Sequence, residues 1–232
     1  MNRDSVGQGC AVLVFGSTGT AGAGAVRACL DHPGVSEVRA VTRRPLAVSH
    51  AKLREVLCSD FADLASIAVH FERVDCCLFC LGTSVRNVTG EDQYREIHVT
   101  YALAAARTLL LRSPDAAFVY LSGAGASRGS RMMWARVKAE AEDRLADLPL
   151  ALHANVRPAA ILPMYPTGAT RWLIAPLLSV IPALGIHSVE LGQAMLMLAL
   201  DRNGGGTRTL ENRDLKALLD SSNAAQRGVG RS

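Results

Sequence analysis

Cys10-Ala11-Val12-Leu13-Val14-Phe15 runs directly into Gly16-Ser17-Thr18-Gly19-Thr20-Ala21-Gly22, and that junction decides the fold. Six apolar residues with no polar alternation suit a strand buried on both faces, as in a parallel sheet. A helical pattern follows from about Thr20 to Leu30 and stops at His32-Pro33-Gly34. Between strand and helix the glycines are spaced G-x-x-G-x-x-G. Gly16 lets the chain turn sharply off the strand, Gly19 admits a pyrophosphate close to the backbone, and Gly22 lets the helix pack tightly. The helix N-terminus then offers free N–H groups and a positive dipole end to phosphate. Gly16, Ser17, Thr18, Gly19, Thr20, Ala21 and Gly22 are therefore the expected dinucleotide phosphate loop. Three glycines alone are a weak signal. The strand before and the helix after give them context, with a loop that has lost its ligand as the alternative.

The alternation continues outward. Strands are expected at Glu37 to Thr42, Leu53 to Cys58, Asp75 to Leu81, Ala117 to Leu121 and Leu152 to Arg157. Helices are expected at Leu64 to Phe71, Glu91 to Leu111 and Arg131 to Leu148. Each parallel return needs a crossover, so this order predicts an α/β fold: a doubly wound parallel sheet in a three-layer αβα sandwich, Rossmann-like. After Arg157-Pro158 the pattern changes to loops, apolar helices and one short strand near Thr207 to Leu210. Residues 159–219 read as a small C-terminal helical cap within a single domain of residues 1–232. Residues 221–232 read as a frayed tail.

The end of the second strand distinguishes the two nicotinamide dinucleotides. An acid there holds a ribose 2′-OH, and arginine there accepts a 2′-phosphate. Here Val41-Thr42 is followed by Arg43-Arg44-Pro45, with no acid. NADP(H) is therefore expected in preference to NAD(H), with a solvated basic turn as the alternative. After the third strand, Asp60 is placed to accept from an adenine amino group and Phe61 to pack on the ring. A plain turn role for Asp60 is the other possibility.

Composition closes off several classes. The chain has 232 residues, of which 49% are hydrophobic, 20% charged and 5% aromatic, which excludes disordered and collagen-like sequences. A net charge of +4 is too small to imply nucleic acid without a clustered patch. The one basic cluster is Arg39, Arg43, Arg44, Lys52 and Arg54, and a cofactor phosphate accounts for two of them. No nucleic-acid partner is expected. The stretch Trp172 to Ile186 is short and contains Pro176 and Pro182, so no membrane span is expected. It reads as packing or as a surface for a protein partner. The first nine residues lack an apolar secretory core. Most of the six cysteines lie in apolar elements and read as reduced, buried and cytoplasmic. Cys77-x-x-Cys80 lies in a strand, where residues three apart face opposite sides, so a disulfide is not expected. The histidines show no metal-site spacing. Ser188 reads as a helix N-cap.

With these motifs in hand, residues 10–219 resemble the atypical short-chain dehydrogenase/reductases, and within them the Tat-interactive-protein oxidoreductase-like branch. The resemblance rests on Val14-Phe15-Gly16-Ser17-Thr18-Gly19, Thr42-Arg43-Arg44 and Cys80-Leu81-Gly82-Thr83. It continues through Leu121-Ser122-Gly123-Ala124-Gly125-Ala126, Val137-Lys138-Ala139-Glu140 and Val156-Arg157-Pro158. It implies bound NADP(H), with Leu81, Gly82, Thr83, Lys138 and Pro158 joining the cofactor site. It implies an oxidoreductase acting on a small carbonyl or alcohol. Some members instead bind proteins and regulate, with little turnover.

That family works with Ser, Tyr and Lys, the last two four apart on one helix face. Ser122 and Lys138 stand at the matching positions, but Trp134 stands where the tyrosine belongs. An indole N–H only donates and cannot exchange a proton near neutral pH. A lost acid costs about 10²- to 10⁴-fold in rate. Ser122 is expected to orient a substrate oxygen, Lys138 to hold ribose hydroxyls and Trp134 to line the pocket. Tyr120 and Tyr165 are the candidate replacements, set against core packing and an ordinary loop. Tyr94 and Tyr101 read as packing or an interface.

Overall fold

The structure is a computed structural model and describes residues 9–165, 185–201 and 205–229. Along the chain come β1 (Cys10–Phe15), α1 (Thr20–Asp31), β2 (Val35–Thr42) and β3 (Leu53–Leu57). A 3-10 helix (Ala65–Phe71) leads to β4 (Cys76–Phe79). Next is one helical run made of α2 (Glu91–Arg95), a π-helical turn (Glu96–Thr100) and α3 (Tyr101–Arg112). Then follow β5 (Ala117–Leu121), α4 (Met133–Ala146), β6 (Leu152–Arg157) and β7 (Ala160–Leu162). β8 (Gly185–His187), α5 (Ser188–Leu200), β9 (Gly206–Glu211) and α6 (Asn212–Val229) complete the order.

Seven strands form one sheet in the order β3-β2-β1-β4-β5-β6-β9, every pair parallel. This is the doubly wound arrangement expected from the strand–helix alternation, with its topological switch between β1 and β4. β1 shows why its apolar run is unbroken. Val12 and Val14 enter a core with α1 and α5, through Ala25, Leu191 and Met195. Leu13 and Phe15 enter a second core with the 3-10 helix, α3 and α4, through Phe71, Leu109 and Val137.

Three expectations need correction. The strand near 207–210 is not part of a cap: β9 pairs with β6 as the seventh strand of the main sheet, from Leu152↔Gly206 to Arg157↔Glu211. α5 belongs to the sandwich as well, on the face shared with α1. Of the segment expected as a cap, β7 and β8 form a separate parallel pair, and residues 166–184, with most of the apolar stretch beginning at Trp172, lie outside the described residues. α6 runs to Val229, through most of the segment expected as a frayed tail.

The α1–α5 contact explains why α5 lies flat in the layer. A Cβ on Gly24 would stand 2.2 Å from the Ser188 carbonyl oxygen, and one on Gly192 would stand 2.6 Å from the Ala25 Cα. The two helices touch backbone to backbone, which only glycine permits. On the other face a part-buried ion cluster ties α4 to the sheet. Arg157 Nε donates to Glu142 Oε1 at 2.9 Å and its Nη1 donates to Glu211 Oε1 at 3.0 Å. Glu142 is buried, so the bidentate arginine is what makes a carboxylate tolerable there.

Candidate functional site

The C-terminal ends of the strands carry the residues of interest, where ligands of such sheets bind. Gly16 leaves β1 with φ +76, and a Cβ on it would stand 2.7 Å from the Cys80 carbonyl group and the Leu81 Cα. The turn therefore presses on the end of β4 and admits only glycine. A Cβ on Gly22 would stand 2.1 Å from the Gly16 carbonyl oxygen. At Gly22 the close approach of the helix is therefore to the loop itself. Gly19 is the N-cap of α1, with no side-chain cap and no acid in the first turn. The first helical bond runs from Ala23 N–H to the Gly19 carbonyl. The N–H groups of Thr20, Ala21 and Gly22 thus precede the helical ladder and face out of its end. Ser17 is buried, and its Oγ has no hydrogen-bond partner. An orphaned buried hydroxyl beside three free N–H groups fits a bound phosphate chain.

Arg43 and Arg44 are exposed at the end of β2, and neither guanidinium has a partner among the described residues. They line a recess of about 370 Å³ together with Gly16, Thr18, Phe61 and Leu81. A second recess of about 290 Å³ adjoins it, sharing Arg43, Phe61 and Leu81 and adding Gly82, Thr83 and Tyr101. Phe61 is buried and meets Tyr101 with ring centroids 5.8 Å apart. Asp60 lines neither recess. Its Oδ1 accepts from Ala62 N–H at 2.8 Å, which makes it a turn residue. Pro158 lines neither recess either. It is buried, and its carbonyl accepts from Ala124 N–H at 3.1 Å in the loop after β5. A wider recess, about 690 Å³, lies at the opposite edge, beside Asp75, Ala117 and Leu152. Those residues stand at or just before the starts of β4, β5 and β6, away from the phosphate loop.

Ser122 follows the last residue of β5, and Lys138 reaches the same strand end. Ser122 N–H extends the ladder to the Val156 carbonyl at 2.8 Å. Its Oγ is buried without a partner. Lys138, on α4, is also buried. Its Nζ donates to the Leu121 carbonyl at 2.7 Å and lies 4.9 Å from the centre of the Tyr120 ring. Burial pulls the Lys138 ammonium down to about 7, against the opposing pull of Glu142 and Cys80. One turn earlier, the Trp134 indole packs on the loop after β5. A Cβ on Gly123 or Gly125 would stand 3.6 Å or 3.8 Å from its ring atoms.

Neither tyrosine considered as a replacement sits in a working position. Tyr120 is fully buried, donates its hydroxyl to the His98 carbonyl at 3.2 Å, and is held well above the usual phenol range by burial. Tyr165 is 81% exposed at the edge of the described residues. Ser188 does not cap its helix. His187 is the N-cap, and its N–H donates to Glu190 Oε2 at 3.1 Å. Cys77 and Cys80 are free thiols in the two opposite cores.

His98 is the residue that spacing does not single out. It sits in the π-helical turn, a helix irregularity often found near functional sites. Its Nε2 lies 3.3 Å from Thr83 N and 3.2 Å from Thr83 O. A Cβ on Gly82 would stand 2.7 Å from its Cε1. His98 therefore sets the loop that lines the second recess. Burial, reinforced by Lys138, pulls the imidazole down to about 2, so it stays neutral.

No protein-family model matches the sequence. Solved structures with the same fold do exist. An oxidoreductase of the short-chain dehydrogenase/reductase family from Burkholderia thailandensis superposes with a TM-score of 0.68 at 18% identity, covering 88% of this chain and 92% of that one. The ligand-free aldohexose dehydrogenase of Thermoplasma acidophilum gives 0.66 at 15% identity, with 90% and 95% covered. MoeE5 in complex with UDP-glucose and NAD gives 0.66 at 18% identity, with 86% and 75% covered. At these identities the likeness is one of fold. No helix among the described residues is long and apolar enough to cross a membrane.

Proposed function

We propose that the chain binds a nicotinamide dinucleotide along the C-terminal edge of its sheet, NADP(H) in preference to NAD(H). With it the protein works as an oxidoreductase of the atypical short-chain type on a small carbonyl or alcohol. The observation that carries this reading is the β1–α1 turn. Its Gly22 has no room for a Cβ, its helix end is uncapped by any side chain, and its Ser17 hydroxyl is buried without a partner. Backbone N–H groups of residues 16–22 would hold the pyrophosphate. The unpaired Arg43 and Arg44 would hold a 2′-phosphate monoester. Phe61 would lie against the adenine, with Leu81, Gly82 and Thr83 beside its ribose. Lys138 would reach the second ribose and Ser122 the substrate oxygen, beneath the Trp134 ring. When bound, the dinucleotide supplies or takes the hydride; the protein's part is to place it and to manage the proton.

A second reading keeps the cofactor and removes the turnover, leaving a regulatory protein or scaffold that recognises a partner. Trp134 favours it, because the residue beside the expected reaction centre cannot carry a proton. One titration tests what both readings share. Purified protein is titrated with NADPH and with NADH while tryptophan fluorescence is followed, and micromolar NADPH binding with much weaker NADH is expected. Arg43→Ala with Arg44→Ala should erase the difference by weakening NADPH alone. Binding of neither dinucleotide would overturn both readings. Turnover of any carbonyl then separates them.

A further inference from the structure

We propose that Lys138 is itself the proton donor and acceptor of this site, in place of the tyrosine that the chain lacks. The inference rests on the oxidoreductase reading above. It starts from how the ammonium is held. Among the described residues Lys138 Nζ has one hydrogen-bond acceptor, the Leu121 carbonyl at 2.7 Å. An ammonium carries three N–H bonds, so it keeps N–H bonds to give. The next residue along the chain is Ser122, whose buried Oγ has no partner. A hydroxyl and an ammonium, both with unused hydrogen-bonding capacity, thus stand at the same strand end. A substrate carbonyl oxygen placed between them would satisfy both.

The other titratable groups around Lys138 are excluded one at a time. On β5, Tyr120 gives its hydroxyl to the His98 carbonyl, and burial holds its proton in place. On the π-helical turn, His98 is tied to Thr83, and burial keeps it neutral. Just past β4, burial pushes the Cys80 thiol up to about 12. On α2, burial pushes the Tyr94 hydroxyl up to about 12. On α4, Glu142 is taken by Arg157, and Trp134 has no proton to exchange. Lys138 is left as the group whose ionisation burial brings close to neutrality, where proton transfer in either direction is easiest.

In the reducing direction the carbonyl carbon gains a hydride, whose electron pair forms the new C–H bond. The electron pair of the C=O π bond moves onto the oxygen, and that oxygen takes one proton from the Lys138 ammonium. The neutral amine left behind recovers a proton from water. The carbonyl is reduced to an alcohol and the reduced nicotinamide is oxidised. In the reverse direction the free amine takes the hydroxyl proton. Reduction therefore needs the ammonium and slows as pH rises through the Lys138 midpoint, whereas oxidation quickens.

The test exploits composition. The chain has three lysines, Lys52, Lys138 and Lys216. Protein labelled with ¹³C at the lysine ε-carbon gives three resolvable signals, and the one missing in Lys138→Arg is Lys138. Its midpoint is measured in the free protein and with saturating NADPH, and reduction of phenanthrenequinone by NADPH is followed across the same pH range. A midpoint near neutrality, matched by the fall in kcat, is expected. At saturating NADPH, Lys138→Arg should lose about 10²- to 10⁴-fold in kcat and lose that fall. A Lys138 midpoint in its ordinary range with NADPH bound overturns the proton role alone. So does a Lys138→Arg variant that keeps the parent's rate profile, or a parent inert to the quinone beside an active Trp134→Tyr. Failure to bind either dinucleotide removes the reading beneath it as well.

Discussion

Gly22→Ala perturbs the one contact on which both the turn and the helix end depend. The added methyl would lie 2.1 Å from the Gly16 carbonyl oxygen, 2.5 Å from its carbon and 2.9 Å from the Ser17 nitrogen. All three are backbone atoms, so no side chain can swing aside. Ordinary contact begins near 3.4 Å, so the start of α1 must retreat by about 1.3 Å. It would retreat into a core where Ala25 and Cys29 are fully buried. Forced overpacking of this kind costs about 1–3 kcal/mol. Alanine's better helix propensity returns up to about 1 kcal/mol. With that propensity returned in full the net loss is up to about 2 kcal/mol, a fall in Tm of up to about 8 °C at this chain length. The same retreat carries the free N–H groups away from a bound pyrophosphate, and NADPH affinity should drop at least tenfold. Thermal unfolding and the NADPH fluorescence titration measure the two effects. Gly90→Ala is the control: nothing lies within 4 Å of its added methyl and its φ of 177 is extended, so Tm and affinity should hold. A Gly22→Ala protein that melts with the parent and binds NADPH equally would refute the steric reasoning.

His153 is buried on β6, and burial holds its imidazole down to about 4. The unfolded chain takes up that proton below about 6.5 and the native one does not. Stability should therefore fall by about 2–3 kcal/mol from pH 6.5 down to pH 4; urea unfolding at both ends of that window checks it, and His153→Leu should lose the slope. Lys138 has the same sign in a higher pH window: its native ionisation is pulled from 10.5 down to about 7, so the parent gains stability as pH rises between those values. Lys138→Met should be more stable than the parent at neutral pH, by about 1–4 kcal/mol; a lower Tm would show that the ammonium is better compensated than its contacts imply. Trp134→Tyr should raise phenanthrenequinone reduction by about 10²-fold or more if a phenol there meets the reacting oxygen. An unchanged kcat would place that ring away from the chemistry.

The parts of the fold that can be read locally are those where one segment carries its own constraint. β1 needs no partner to declare itself, since only a strand covered on both faces tolerates Val12 and Leu13, then Val14 and Phe15, in succession. α5 and β9 are different. Gly24 in α1 looks like a flaw in helix propensity until Gly192, far along the chain, is seen pressing on its neighbour Ala25. Thr207 and Thr209 of β9 are exposed, so the strand has no continuous apolar run to mark it as part of a sheet. Its place is set by pairing with β6, and local sequence does not carry pairing over such a separation. That is why local pattern alone puts both elements in a cap.

The site divides along the same line, between spacing and environment. Trp134 and Lys138 are four apart, and that spacing alone sets them on one helix face. The phosphate-loop glycines and the Arg43–Arg44 pair are legible for the same reason: their chemistry depends on residue type at a fixed offset. What Lys138 can do depends on what surrounds it, and those groups come from β4, β5, the π-helical turn and α4. Burial, a larger effect than any one neighbour has, pulls its ionisation from 10.5 down to about 7. His98 carries no such signal, because its partner, Thr83, lies in a loop fifteen residues back, a pairing no helical period announces. A lysine expected to hold ribose hydroxyls stands one helical turn from an indole that cannot titrate, with its own proton loosened by burial. The substitution that argues against catalysis on spacing is thus the reason to measure Lys138, whose ionisation burial draws toward neutral pH.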